Sequence, residues 1–359
     1  MRVLFDIVHP AHALFFKRAV ETLQARGDEV LILSRHKDIT CQVLDDLGFA
    51  HRPVSRAGKG VLGLAGELLG RDWAVIRAAR RFKPDVMIGF GGLAISHAGR
   101  LLGIPSVSFY DTEEATLQNR LTWPFITQLY VPQCYDGPTP KGRTTRLAGV
   151  KPLSHLHPDY FTPDREIALA SGLDPERDNF LLRAVSWEAN HDIGLTGWSE
   201  GHLRALVEHL SARGRVHVSS EAPLPADLAA TRYAGKPTDI LHLMGHCRLY
   251  VGESATMSTE AAILGIPNIF NSDVHRSYVV ELSRAGLTRC VADYRSPAAA
   301  LAAIDELLGE PAAEMQARRD AYVADCPDWG EEIVMAIERH AKAKVAELAS
   351  RGAPGAKAQ

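Results

Sequence analysis

The tetrapeptide Leu-Gly-Ile-Pro occurs twice, at Leu102–Pro105 and at Leu264–Pro267. Each copy closes the same longer pattern. An apolar strand, Val86–Ile88 or Leu249–Val251, runs into a turn, Gly89-Phe90-Gly91-Gly92 or Gly252-Glu253-Ser254-Ala255. A short helical run follows. The Gly ends that helix and the Pro precedes a second apolar strand. A strand–turn–helix–strand unit built twice points to an α/β architecture with two similar halves. Two such halves imply a cleft between them, and clefts are where ligands usually bind.

The rest of the chain keeps the rhythm. Val3–Val8 reads as a strand, Leu14–Arg26 as an amphipathic helix stopped by Gly27, and Glu29–Ser34 as the next strand. Ile39–Leu47 and Asp72–Phe82 read as helices, and Asp85–Ile88 as a strand. Strands separated by helical patterns imply βαβ units and a parallel sheet. The segment Cys134–Pro163 breaks the alternation with Gly137-Pro138, Pro140, Gly142, Gly149, Pro152, Pro158 and Pro163. An interdomain hinge is expected there, near Gly149–Asp164. Beyond it come strands Asn179–Val185, Val216–Ser219 and Leu249–Val251, with helices Gly201–Ala212 and Thr238–Gly245. Gln316–Ala324 and Glu331–Leu348 read as terminal helices. The pattern predicts one Rossmann-like domain over 1–150 and a second over 151–348 that carries the terminal helices. The tail 349–359, rich in Ala, Gly and Lys, is expected to be disordered.

Bulk properties narrow the function classes. A chain of 359 residues is too long for one ordinary core, which agrees with two domains. A formal net charge of -3 argues against a broad electrostatic nucleic-acid binder. Cys41, Cys134, Cys247, Cys290 and Cys326 are scattered, with no Cys-x-x-Cys pair. This reads as reduced thiols in a cytoplasm, not as a disulfide framework or zinc site. No signal peptide and no membrane-crossing apolar run is read. His155-Leu156-His157 has no nearby Cys or carboxylate pattern, so no metal site is expected there. In Gly58–Arg81, apolar residues such as Leu68, Leu69, Trp73, Val75 and Ile76 mix with Arg71, Arg77, Arg80 and Arg81. An amphipathic helix with a solvated face is the ordinary reading; a membrane-surface or lipid-acceptor patch is the sharper one.

Three stretches carry candidate chemistry. The first is Gly252 to Pro267. Gly252 allows a sharp turn at a strand's carboxyl end. Ser254 or Thr256 can cap the following helix, whose first amides and dipole favour an anion such as a phosphate. Glu260, a turn further on, is placed to accept hydrogen bonds from ribose hydroxyls. The second is Asp6–His12, where His9, His12 and Asp6 follow the first strand and can act as acid, base or anion ligand. A helix-capping His12 is the plain alternative. The third is Phe109–Glu114, where Asp111, Glu113 and Glu114 at a strand's end suit acid/base work or a hydroxyl-rich acceptor. Arg183 ends a strand ahead of Ser186, Glu188, Asn190 and His191; an ordinary loop salt bridge is its plain reading. His275 and Arg276 follow the strand Asn268–Asn271 and could reach a sugar or phosphates.

The stretch from Gly252 to Pro267 resembles the nucleotide-sugar signature of GT-B proteins, including UDP-GlcNAc 2-epimerases and the GlcNAc transferase that forms lipid II. In those proteins the equivalent Ser and adjoining amides hold the diphosphate and the equivalent Glu holds the ribose. Ser254 and Glu260 match; Ala255 stands where Gly is common. From about residue 1 to about residue 325 the chain also resembles the family catalogued as domain of unknown function 354 (DUF354). The residues that carry this are Asp6–Phe16, Asn119-Arg120-Leu121-Thr122-Trp123-Pro124, Gly149-Val150-Lys151 and Glu253–Pro267. His12 falls where the lipid II transferase has a His after a Gly-rich turn, here replaced by Pro10-Ala11. Asp111 falls where the 2-epimerases have a catalytic Glu, but their first catalytic Asp corresponds to Gly92. Their further Glu, before Asn119-Arg120, is also absent.

The resemblance implies a GT-B-like fold of two Rossmann-like domains facing a central cleft, and a metal-independent glycosyltransferase-like enzyme. Arg183, Gly252, Ser254, Ala255, Thr256 and Glu260 would hold a UDP-sugar as substrate, with no cofactor. His12, Asp111 and Glu114 would be catalytic, and His9, His275 and Arg276 would meet sugar or acceptor. The acceptor would be a polysaccharide or lipid-linked glycan in surface polymer or glycolipid assembly, in the cytoplasm or at the inner membrane face. A UDP-sugar epimerase or hydrolase and a non-catalytic nucleotide-sugar-binding protein are the alternatives.

Overall fold

The computed structural model describes residues 1–36, 39–56, 58, 60–185 and 197–352. Among them the chain forms two compact units. The first takes Met1–Gln133, Gly137–Leu147 and the stretch from Asp328; the second takes Cys134–Asp136 and Ala148–Pro327. The change of unit at 147/148 lies just ahead of the expected hinge.

The strands of the first unit are β1 (Arg2–Ile7), β2 (Glu29–His36), β3 (His51–Arg56), β4 (Val86–Phe90), β5 (Ser106–Phe109), β6 (Gln128–Pro132) and β7 (Thr144–Leu147). They form one sheet in the order β3-β2-β1-β4-β5-β6-β7 with parallel pairs throughout. The second unit has β8 (Asp178–Ala184), β9 (Gly214–Ser220), β10 (Leu249–Gly252), β11 (Asn268–Phe270) and β12 (Arg289–Cys290). Their order is β12-β11-β10-β8-β9, again parallel. A parallel sheet covered on both faces needs nearly continuous apolar strands. Val86–Phe90 and Leu249–Gly252 are buried at every position.

Each strand order reverses once, between β1 and β4 in the first unit and between β8 and β10 in the second. In doubly wound sheets the carboxyl ends beside such a reversal frame the ligand crevice. Leu4, Leu33, Met87, Ala94, Ile95, Ala98 and Val75 pack one side of the first sheet. Leu182, Val218, Val251, Ile269, Leu206, Leu210 and Ile304 do the same in the second.

Three departures from the sequence pattern have local causes. The first helix is Pro10–Ala25, not Leu14–Arg26, because Pro10 fits the first helical position and His9 Nδ1 accepts the Ala11 amide, 3.2 Å. The helix expected over Asp72–Phe82 begins at Gly60, since Gly60, Gly63, Gly66 and Gly70 lower its propensity without preventing it. The last helix, Trp329–Gly352, belongs to the first unit and not to the second. Its buried stripe Trp329, Ile333, Val334 and Ile337 meets helix Pro10–Ala25; the rings of Phe15 and Trp329 lie 6.2 Å apart. Arg18 pairs with Asp328, and Arg26 with Glu338 at 2.7 Å. Part of the tail expected to be disordered, 349–352, is helical; 353–359 lie outside the described residues.

Candidate functional site

In the second unit the reversal brings Arg183 and Gly252 side by side, as register partners at the ends of β8 and β10. Gly252 is not in the left-handed region. Its role is space: a Cβ there would collide with the Tyr250 hydroxyl and lie 2.9 Å from Arg183 Cβ. The sharp-turn reading of Gly252 is thus replaced by a close-approach one. Burial pushes the Tyr250 phenol up, so it is neutral.

Glu253, which the sequence reading left without a role, is 2% exposed and accepts two backbone amides, Val185 at 2.9 Å and Trp198 at 2.7 Å. Trp198 Nε1 donates to Asn271 Oδ1, 2.9 Å, and Asn271 donates to the carbonyls of Val291 and Asp293. These bonds tie together the segments that follow β8, β10, β11 and β12. Ser186, Glu188, Asn190 and His191 lie outside the described residues.

Ser254, not Thr256, is the cap of helix Ala255–Ile263: its Oγ accepts the Met257 amide at 3.3 Å. The Ser258 amide bonds the Ser254 carbonyl, 2.9 Å. The first-turn amides of Ala255 and Thr256 have no partner among the described residues, and both residues are half-buried. Two open N–H groups on the positive end of a helix dipole form an anion cradle. Arg183, across the strand pair, donates from Nη1 to Ser219 Oγ at 2.8 Å and from Nη2 to Glu221 Oε1 at 2.5 Å. Its guanidinium thus lies toward β9 with one carboxylate already on it, while its backbone is the register partner of Gly252, two residues ahead of the cap.

Glu260 is almost sealed, 4% exposed, and its Oε1 lies 3.5 Å from His155 Nε2. His155 Nδ1 in turn meets Ser154 Oγ at 3.1 Å. The histidine set aside as a metal ligand is therefore the neighbour of the predicted ribose carboxylate. Nothing in the sequence linked the two positions, because only the fold brings helix Leu153–Leu156 against helix Ala255–Ile263. Lys151 is also buried, with its ammonium 5.9 Å from the Tyr278 ring. His275 Nε2 lies 3.4 Å from Asp136 Oδ2, both well exposed, and Arg276 precedes helix Ser277–Arg284.

In the first unit, β1 and β4 flank the reversal. His9, predicted to meet the acceptor, caps helix Pro10–Ala25, so the capping role considered for His12 falls to it. His12 sits in the first turn, its ring stacked on Phe90 at 4.6 Å and 5.5 Å from the His9 ring. Asp6 is unavailable as acid or base: it is buried in an ion pair with Arg71, whose Nη1 also donates to Ser55 Oγ at 2.7 Å. Asp111 is 4% exposed and accepts from Thr112 Oγ1 at 3.2 Å, whereas Glu114 is exposed. The structure thus groups His9, His12 and Phe90, places Asp111 after the neighbouring strand β5, and leaves Glu114 on the surface. A cavity of about 480 Å³ in this unit is lined by Thr116, Asn119, Arg120, Trp123, Pro138 and Arg143, and by none of the predicted site residues.

Comparison with known proteins gives a consistent picture. Residues 1–276 match the family described as a protein of unknown function, DUF354. An uncharacterized protein of Methanocaldococcus jannaschii is 22% identical over 285 residues, 74% of this chain and 80% of that one. A UDP-N-acetylglucosamine–N-acetylmuramyl-(pentapeptide) pyrophosphoryl-undecaprenol N-acetylglucosamine transferase of Halothermothrix orenii is 30% identical over 131 residues, but the match spans only 34% of each protein. The crystal structure of UDP-GlcNAc 2-epimerase from Neisseria meningitidis bound to UDP-GlcNAc superposes with a TM-score of 0.62 at 15% identity, covering 98% of this chain and 100% of that chain. At that identity the likeness establishes the fold: two parallel-sheet α/β units of the GT-B kind.

Proposed function

The chain belongs to the DUF354 family, and from that premise we propose that it is a GT-B glycosyltransferase-like enzyme that transfers a sugar from a UDP-sugar. The acceptor is a polysaccharide or lipid-linked glycan. The observation that carries this reading is the pair of first-turn amides at Ala255 and Thr256, without a partner among the described residues, in the helix that follows a strand whose last residue, Gly252, is the register partner of Arg183. A diphosphate leaving group gains negative charge as the glycosidic bond breaks. Fixed amide dipoles and a guanidinium aimed at that charge lower the barrier without any metal ion. Arg183 would exchange Glu221 for phosphate oxygens, a forked contact that an ammonium could not match. Glu260 would accept the ribose hydroxyls, held for that task by His155. In the first unit His12 or Asp111 would take the acceptor hydroxyl's proton. The partial match to the lipid-linked GlcNAc transferase supports a carrier-bound acceptor.

Calorimetry with UDP and UDP-sugars tests the donor assignment. We expect binding in the wild type and a roughly tenfold or greater loss in Glu260→Ala, the scale of a hydrogen bond to a charged group. No heat with any nucleotide, or unchanged affinity in that variant, overturns it. Likeness to a 2-epimerase supports a second reading, epimerisation or hydrolysis. A UDP-N-acetylhexosamine incubated without acceptor separates the two: release of UDP or an epimer favours the second, inertness the first.

A further inference from the structure

Helix Gly60–Phe82 has two unlike faces. Inward, Val75, Ala78 and Ala79 join the core, Arg71 holds Asp6, and Glu67 accepts Arg35 twice at 2.6 Å and the Gly58 amide at 2.9 Å. Outward stand Leu69, 72% exposed, and Trp73, 62% exposed, one turn apart. Arg77 follows one turn later with its guanidinium 5.3 Å from the Trp73 ring centre, and Arg80 and Arg81 are exposed beyond it.

This outer stripe continues onto the next two helices through His97. Its Nδ1 meets Asp72 Oδ2 at 2.6 Å, its Nε2 meets the Leu121 carbonyl at 3.0 Å, and its ring stands edge-on to Phe125 at 5.3 Å. Leu101 lies one turn after His97 in helix Leu93–Leu102, and Leu117 one turn before Leu121 in helix Thr116–Thr122; both are more than half exposed. Among the described residues eight large hydrophobic side chains are exposed, and five of them, Leu69, Trp73, Leu101, Leu117 and Phe125, lie on or just after the three packed helices that meet at this histidine. Scattered exposed apolar residues need no explanation, but a set gathered on adjoining helices does.

The exposed charge on these helices is mostly positive, with the exposed Glu114 standing two residues ahead of the third helix. Over 69–82, 93–102 and 116–122 the only acid is Asp72, already paired with His97, against exposed Arg77, Arg80, Arg81, Arg100 and Arg120. The whole chain is formally -3, so this face opposes the average. We propose that it docks onto an anionic lipid bilayer. Leu69, Trp73, Leu101, Leu117 and Phe125 enter the boundary between headgroups and acyl chains, and the arginines meet lipid phosphates. No helix among the described residues is long and apolar enough to cross a membrane, so the contact is peripheral. A second copy of the chain suits the face poorly, because a two-fold interface would set the arginine rim against its own image. The inference rests on this surface alone and is independent of the donor site.

Flotation of the full chain with vesicles tests it. Wild type should bind phosphatidylcholine vesicles containing phosphatidylglycerol and bind phosphatidylcholine alone much less, with binding weakened by added salt. Leu69→Ser/Trp73→Ser should lose at least about tenfold in partitioning, and Arg77→Gln/Arg80→Gln roughly thirtyfold. Met335→Ser, which alters an exposed apolar residue on helix Trp329–Gly352, should change nothing. UDP affinity should be unaltered in all three, which separates failure here from failure of the donor reading. Absence of wild-type binding to anionic vesicles, variants that bind as wild type does, or a dimer in light scattering that Leu69→Ser/Trp73→Ser dissolves would each overturn the proposal.

Discussion

Gly103 and Gly265, the glycines of the two Leu-Gly-Ile-Pro copies, both take left-handed φ, 65° and 72°. The next amide closes the helix in both: Ile104 bonds the Gly99 carbonyl at 3.1 Å, Ile266 the Ala261 carbonyl at 2.8 Å. Each Pro carbonyl then accepts an amide of the preceding strand, Met87 at 2.8 Å and Tyr250 at 2.9 Å. At their far ends the units diverge. The first turn bends through Gly91 and Gly92, φ 76° and 61°, and no side chain caps its helix. Gln118 and Tyr110 pack over Gly91 so closely that a Cβ would collide. The second turn uses no left-handed glycine at its start; Glu253 braces it, Ser254 caps it, and Ala255 and Thr256 stay accessible. The shared end of the repeat is architecture. The unshared end decides which helix starts from left-handed glycines and which from a side-chain cap.

The largest expected difference concerns the first strand of each sheet. Near the end of β1 the pair Asp6–Arg71 is buried; near the end of β8 the pair Arg183–Glu221 is partly open, with Glu221 46% exposed. Arg71→Met leaves a buried carboxylate without its counter-charge and should cost about 3–5 kcal/mol in denaturant unfolding. Arg183→Met should change stability by no more than about 1 kcal/mol while weakening UDP. Equal stability losses in the two variants would erase the distinction between a structural pair and a pair poised for a ligand.

Gly252→Ala should follow, at roughly 1–3 kcal/mol, because the added methyl meets Tyr250 and Arg183 on a strand packed on both sides. A neutral outcome would show that the close approach at the reversal is not needed. Ser254→Ala should cost about 1 kcal/mol as a lost cap and should also weaken UDP. The reciprocal change, Gly92→Ser, should not supply a cap, since φ of 61° strains any side-chain-bearing residue and the adjoining space is taken by Ser108. A Gly92→Ser variant more stable than wild type would mean that the two turns differ by accident of sequence and not by backbone shape.

What could be read from the sequence was local. The repeat, the helix stops, the alternation and the capping power of Ser254 all depend on neighbours within a turn or two. What could not be read was set by distant partners. Asp6 looks like a candidate acid until Arg71 is folded onto it, and His155 looks idle until Glu260 arrives. The stripe Trp329–Ile337 announces a buried face but not whose core receives it, so the sequence pattern places the last helix in the second domain and the fold places it in the first. His12 reads as chemistry or cap while the helix is expected from Leu14; Pro10, whose fixed φ begins the helix earlier, makes His9 the cap.

The smallest expected effect is a pH dependence confined to the first unit. His97 faces two acceptors, the Asp72 carboxylate and the Leu121 carbonyl, and only an imidazolium can donate to both. The hydrogen bond to Asp72 raises its pKa from the ordinary 6.5, against the opposing pull of burial. A raised folded pKa means that the native state holds this proton more tightly than the unfolded chain does. The stabilisation is therefore complete below the ordinary value and fades as pH climbs through the folded one. Melting temperature, compared between wild type and Asp72→Asn, should differ most below pH 6.5 and converge in alkaline solution. The second unit's buried His217 runs the other way: desolvation lowers its pKa to about 4, so acid and not alkali destabilises it. A gap between wild type and Asp72→Asn that widens as pH rises would reverse the sign and remove His97 as the cationic link among its three helices.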